Sequence, residues 1–154
     1  MRLPGPGADL PADPQRRRAR GEIPLIIGDI GDVPLIQRIC AEHRVGALAH
    51  FAGKIQVGES VHAPDLYFDV NLVRTLALLG ALRDANIQAC LFSSSAAVYG
   101  TPTEIPIPEH ARKEPVNPYG ATKLSVEFAL AAWHGAYGLR WGRAALLQRG
   151  RGPP

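Results

Sequence analysis

Methionine occurs once and cysteine twice, and Phe, Trp and Tyr together make up 6% of the 154 residues. Cys40 and Cys90 stand alone in apolar surroundings without metal-ligand spacing. That excludes a disulfide framework and a structural zinc site, and it predicts two buried free thiols in a reducing compartment. No apolar run approaches the ~20 residues of a membrane span, and the first residues lack an apolar leader core, so a cytoplasmic protein is expected. Aromatic residues do not interleave with the basic ones, which removes the main support for a nucleic-acid partner.

What is present is ordinary for a globular domain: 46% hydrophobic and 20% charged residues, with enough chain for one core. The net charge of +3 comes from the ends. Residues 1–22 carry Arg2, Arg16, Arg17, Arg18 and Arg20 against Asp9, Asp13 and Glu22, and residues 138–154 carry Arg140, Arg143, Arg149 and Arg151 with no acid. Those segments contribute +2 and +4, leaving −3 for residues 23–137. Residues 1–22, rich in Pro and Arg and without periodicity, are expected to be a disordered basic arm. Residues 23–141 are expected to form the ordered domain, and residues 142–154 an aberrant basic tail.

From Ile23 onward short apolar runs alternate with amphipathic stretches, which predicts an α/β fold with a parallel sheet. Strands are expected at 23–27, 47–51 and 87–94. Helices are expected at 33–44, burying Leu35, Ile36 and Ile39; at 64–85, with Leu72, Val73, Leu76, Leu79 and Leu82 at helical spacing; and at 119–137, with Leu124, Phe128 and Ala131 or Ala132 inward. Pro64 suits a first turn, Asn86 a helix end and Gly138 a helix stop. A further strand is due after Gly138, but Gly142-Arg143 is expected to interrupt it, and the Arg- and Pro-bearing segment 149–154 does not suit a buried central strand.

The chemistry centres on Tyr119-Gly120-Ala121-Thr122-Lys123. A tyrosine and a lysine four apart share a helix face, and a cation beside a phenol stabilises the phenolate. A free phenol titrates near ~10, so lowering it to ~7 takes roughly 4 kcal/mol of differential stabilisation. Alone, such a pair is common surface decoration. Ser93-Ser94-Ser95 adds weight because it ends an apolar strand, at the carboxyl edge where open α/β sheets place ligands; an isolated serine run would otherwise read as a turn.

The order of Gly28-Asp29-Ile30, His50-Phe51-Ala52-Gly53, Val57-Gly58-Glu59-Ser60, the segment from Ser93 to Gly100 and that from Asn117 to Lys123 resembles the UDP-glucose 4-epimerase branch of the extended short-chain dehydrogenase/reductases. The resemblance implies a partial Rossmann-like, doubly wound parallel sheet of three to four strands with flanking helices. It implies that Tyr119 is the base at the sugar 4-hydroxyl, that Lys123 lowers its pKa and holds the nicotinamide ribose, and that Ser95 assists. It places Asp29 and Ile30 at the adenine, has Phe51, Ala52 and Gly53 line an NAD cofactor, and adds Asn71, Ser93, Tyr119 and Lys123 to the cofactor contacts. No metal is implied. The implied reaction is oxidation at C4 of a UDP-sugar by hydride transfer to NAD, rotation of the 4-keto sugar and return of the hydride, and the implied assembly is a homodimer through the two long helices. Related dehydratases need carboxylates after the strand-end hydroxyl, where this chain has Ala96, Ala97 and Val98, so epimerisation is favoured.

Both ends depart from that family. Its opening Gly-x-x-Gly-x-x-Gly turn has no counterpart, since Gly5 and Gly7 sit in Leu3-Pro4-Gly5-Pro6-Gly7 without a preceding strand or following helix. After Trp141 the family continues into a strand ending in Tyr-Phe-Asn, whereas here the chain reads Leu146-Leu147-Gln148-Arg149-Gly150-Arg151-Gly152. Codons available for Leu147 to Gly152 spell Phe-Asn-Ala-Ala-Ala-Gly when read one base later, so a frame shift near Trp141 is expected. The nucleotide sequence decides it: Leu147 must be CTT and Gln148 CAA. Two alternatives stay open at this stage, a chain without activity that only associates with an intact homologue and an epimerase of another nucleotide sugar.

Overall fold

The computed structural model describes residues 23–146; the expectations for the basic arm and for residues 147–154 lie outside it. Three parallel strands, β1 (Leu48–His50), β2 (Ala89–Ser95) and β3 (Arg140–Leu146), form one sheet in the order β1-β2-β3. Leu48 pairs with Cys90, and Ala89 through Ser95 pair in step with Arg140 through Leu146. The helices are α1 (Val33–His43), α2 (Val57–His62), α3 (Pro64–Tyr67), α4 (Arg74–Asp84) and α5 (Pro118–Tyr137), with a π-helical turn at Phe68–Val73 joining α3 to α4.

The ends of the helices carry recognisable signals. The Asp32 carboxylate accepts from the Leu35 amide at the start of α1, and Arg44 closes it in the left-handed region at φ 49°. Asn86, at φ 57°, takes the chain out of α4. The long apolar side chains of Leu78, Leu79, Leu82, Phe92, Val126 and Leu130 meet between sheet and helices as the main core, with both Cys40 and Cys90 buried and free beside them.

Four expectations are corrected. Residues 23–27 form no strand: Ile23, Leu25 and Ile27 are 93%, 86% and 77% exposed, and no described strand pairs with them. The strand after Gly138 does form, as β3. Gly142 lies opposite Leu91 where a Cβ would meet only ordinary contact, and the Arg143 guanidinium reaches the Glu127 carboxylate, so neither residue interrupts the ladder. In α1 Leu35, Ile36 and Ile39 are only half-buried and Cys40 is the buried residue. On α5, Leu124 is inward as expected, but Phe128 is 67% exposed and Ala131 and Ala132 face outward. The inward face there runs through Tyr119, Lys123, Glu127 and Leu130, where polar residues with buried partners replace the apolar stripe that periodicity looks for.

The helix expected at 64–85 is continuous in outline but carries the π turn. Widening the helix shifts the phase of the residues beyond the turn, so Leu79 and Leu82 are buried while Val73 and Leu76 are exposed. Asn71, polar and in the middle of that turn, is thereby taken into the protein at 4% exposure.

Candidate functional site

The start of α5 is held by a complete set of hydrogen bonds. Pro118 has no amide hydrogen to satisfy, the Gly120 amide donates to Asn117 Oδ1 (2.8 Å), and the Ala121 amide donates to the Asn117 carbonyl (3.0 Å). The remaining amide, that of Tyr119, donates to Ser60 Oγ (3.2 Å), and Ser60 in turn donates to the Val57 carbonyl (2.6 Å). α2 thus fixes the residue that carries the phenol. Gly120 allows the same turn to lie on the chain after β2: a Cβ there would stand 2.5 Å from the Ala97 carbonyl oxygen.

Tyr119 and Lys123 are both 4% exposed. The Lys123 ammonium lies 5.9 Å from the centre of the Tyr119 ring and 4.9 Å from that of Phe92, and it donates to the Ser93 carbonyl (2.9 Å). Burial lowers its pKa to about 8, so the ammonium stays mostly charged near neutrality while its proton is held more loosely than on a surface lysine. His50, at the end of β1, shares a 2.9 Å hydrogen bond with Thr75 Oγ1, and burial, aided by the Lys123 charge, lowers its pKa to about 4. It is a neutral ring beside the cation.

Gly53, Asn71 and Lys123 meet around the turn after β1. Asn71 accepts from the Lys54 amide (2.7 Å) and donates to the Lys54 carbonyl (3.0 Å), and its amide also reaches Thr122 Oγ1 (3.3 Å). Thr122 donates to the Tyr119 carbonyl (2.7 Å), which links the turn after β1 to α5. Gly53 has φ 145°, and a Cβ on it would lie 2.9 Å from Asn71 Oδ1 and 3.8 Å from Lys123 Nζ. Only glycine fits that cradle without strain.

The remaining residues expected at the site hold varied positions. Ser93 contributes its carbonyl to Lys123. Ser95 Oγ accepts from the Ala97 amide (3.2 Å) and caps the short turn Ala96–Tyr99, which leaves its own proton to donate. Phe51 and Ala52 are exposed at the carboxyl end of β1. Asp29 lies apart from the Tyr119–Lys123 pair in its contacts: it accepts from the Gly31 amide (2.8 Å) and pairs with Arg74, which also grips Asp69 (2.6 Å). The Gly31 bond first, and the Arg74 contacts after it, hold the Asp29 carboxyl below the usual carboxylate range. Ile30 packs against the main core.

Sequence reasoning missed the residues behind the pair. Tyr67 Oη lies 2.7 Å from the Gln56 carbonyl and 2.8 Å from Glu59 Oε2, with its ring edge-on to Tyr119 at 6.5 Å. Burial first, and Glu59 second, push its pKa up to about 12. Glu127 is buried with Ser94, Lys113 and Arg143 as partners. A charge one helical turn beyond Lys123 on a helix otherwise rich in apolar residues was the available signal. Among the described residues no group of three or more His, Cys, Asp or Glu could hold a metal ion, and no helix is long and apolar enough to cross a membrane.

Compared with known proteins, residues 9–148 match the family described as GDP-mannose 4,6 dehydratase. A UDP-glucose 4-epimerase of Azospirillum brasilense is 47% identical over 126 residues, which is 82% of this chain and 36% of that protein. The crystal structure of a UDP-glucose 4-epimerase from Brucella ovis in complex with NAD is 42% identical at a TM-score of 0.75, covering 77% of this chain and 36% of that one. The Bifidobacterium longum enzyme in complex with NAD+ and UDP is 43% identical at a TM-score of 0.72, covering 77% and 35%. The chain spans about a third of the length of these relatives.

Proposed function

The chain belongs to the GDP-mannose 4,6 dehydratase family, and from that membership and its likeness to UDP-glucose 4-epimerases we propose that it carries the catalytic residues of a UDP-glucose/UDP-galactose 4-epimerase. The observation that carries the reading is the buried Tyr119 and Lys123 on successive turns of α5, with the ammonium held against the end of β2. Epimerisation is preferred to dehydration because the turn after Ser95 is Ala96-Ala97-Val98-Tyr99, with no carboxylate to promote loss of water.

The residues fit an NAD cofactor. The cradle at Gly53 is narrow enough that a Cβ would meet Asn71 and approach Lys123, and Lys123 retains donors beyond the one given to Ser93. Phe51, Ala52, Gly53, Asn71, Ser93, Tyr119 and Lys123 would hold it, with Asp29 and Ile30 toward the adenine. When bound, NAD would supply the two-electron acceptor that takes the C4 hydrogen of the sugar and returns it. The chain's own part is proton transfer: Tyr119 Oη takes the 4-hydroxyl proton and later gives it back, Ser95 donates a hydrogen bond to the same oxygen, and the Lys123 ammonium lies beside the Tyr119 ring. Burial of all three keeps water from competing.

The test is conversion of UDP-galactose to UDP-glucose by the purified chain with NAD present. Tyr119→Phe should lower kcat at least ~10²-fold, the range for removal of a general base, with NAD binding retained. NAD binding without conversion by the parent chain would refute the epimerase reading.

A cytoplasmic location is supported by the two buried free thiols. A homodimer through the two long helices is supported by apolar side chains left outward on them: Val73 and Leu76 on α4 and its π turn, and Phe128 on α5, at 56%, 36% and 67% exposure.

A further inference from the structure

Lys123 and Glu127 lie one turn apart on the same buried face of α5 and grip adjacent residues of β2: Lys123 Nζ donates to the Ser93 carbonyl at 2.9 Å, and the Ser94 hydroxyl donates to Glu127 Oε1. Two bonds at neighbouring positions on both elements fix the rotation and the axial position of the helix against the strand, which one bond cannot do. Ser94 stands between the residue whose carbonyl receives the ammonium and the residue whose hydroxyl faces the proposed reaction. We infer that Glu127 is a positioning residue that, through Ser94, clamps α5 to the end of β2 and so sets where Lys123 and Ser95 stand.

The inference rests on the reading of Tyr119, Lys123 and Ser95 as the reacting groups. Glu127 has no path to solvent chemistry of its own. Its side chain is 3% exposed, and its Oε2 is taken by Lys113 from the loop before α5 and by Arg143 of β3 at 3.2 Å. Burial alone would raise its pKa, but the bonds from Lys113 and Ser94 and the charges of Lys113 and Arg143 outweigh it and keep the carboxyl below its ordinary value. It therefore remains an anion, and an anion is the stronger acceptor for the Ser94 hydroxyl. The same carboxylate joins β2, β3, α5 and the loop that carries Lys113, so its loss would loosen the site from several sides at once.

Ser94→Ala is the sharper variant, because it removes the clamp and leaves Glu127 paired with both cations; Glu127→Gln takes the carboxylate from two half-buried cations and can fail to fold. In the folded Ser94→Ala chain, kcat for UDP-galactose should fall about tenfold, a loss in keeping with a small misplacement of reacting groups, with KM unchanged within about twofold. Lys123, followed by NMR of lysine labelled with carbon-13 at Cε, should titrate about half a unit or more above the parent, since a loosened helix admits water to an ammonium whose pKa is lowered by burial. Where Glu127→Gln folds, the double variant should be no slower than the slower single one. Absence of turnover in the parent would defeat the epimerase reading, and the Lys123 titration then decides the inference by itself. An unchanged Lys123 midpoint in folded Ser94→Ala overturns it.

Discussion

Lys123 shows how one residue serves two opposed demands. In the proposed reaction its charge lies beside Tyr119, yet it is 4% exposed and its pKa falls from 10.5 to about 8 through burial. Between those values the unfolded chain binds a proton that the folded chain does not, so stability rises with pH across that window. Below pH ~8 the charged form costs the fold about 3 kcal/mol at ~1.4 kcal/mol per pKa unit. Lys123→Met should therefore be more stable than the parent in urea at pH 7, with the advantage shrinking as pH rises from 8 to 10.5. A Met variant that is less stable at pH 7 would show that the bond to Ser93 and the contact with the Phe92 ring outweigh desolvation.

At the level of elements, the site depends on how closely backbones approach. The first turn of α5 rests on the chain after β2 at Gly120, and the return of the loop rests on Gly100, which has φ 64° and whose Cβ would stand 2.0 Å from the Glu114 carbonyl oxygen. Gly120→Ala should force α5 away from the Ala97 carbonyl and cost about 1–3 kcal/mol, the range for overpacking, measurable as a lowered urea midpoint with unchanged slope. Retained stability would mean that the first turn can slide without disturbing the Ser60 bond. The π turn plays a matching part on the other side, since it carries Asn71 inward to fasten the Lys54 backbone and so holds the Gly53 cradle in shape.

For the whole molecule, the distribution of apolar surface matters most. Phe128 and Val73 stay outward while the faces behind them hold the core, and in the proposed homodimer a second copy would cover them. Phe128→Glu should weaken self-association at least about tenfold, as expected for a charge placed in an apolar contact, by sedimentation velocity over a concentration series. Equal association of parent and variant would place the interface elsewhere.

Local pattern in the sequence was enough for the α/β class, three of the helices, the strands before Phe51 and Ser95, and the pairing of Tyr119 with Lys123, because each depends on periodicity or on spacing within one element. It misjudged residues 23–27, whose apolar character needs a neighbouring strand to become structure, and β3, where Gly142 and Arg143 are acceptable only because Leu91 and Glu127 stand opposite. It also assigned the wrong face to the middle of α5. Hydrophobicity marks what avoids water, whereas Lys123 and Glu127 are buried through partners on β2, β3 and a loop, and those partners are adjacent only in three dimensions.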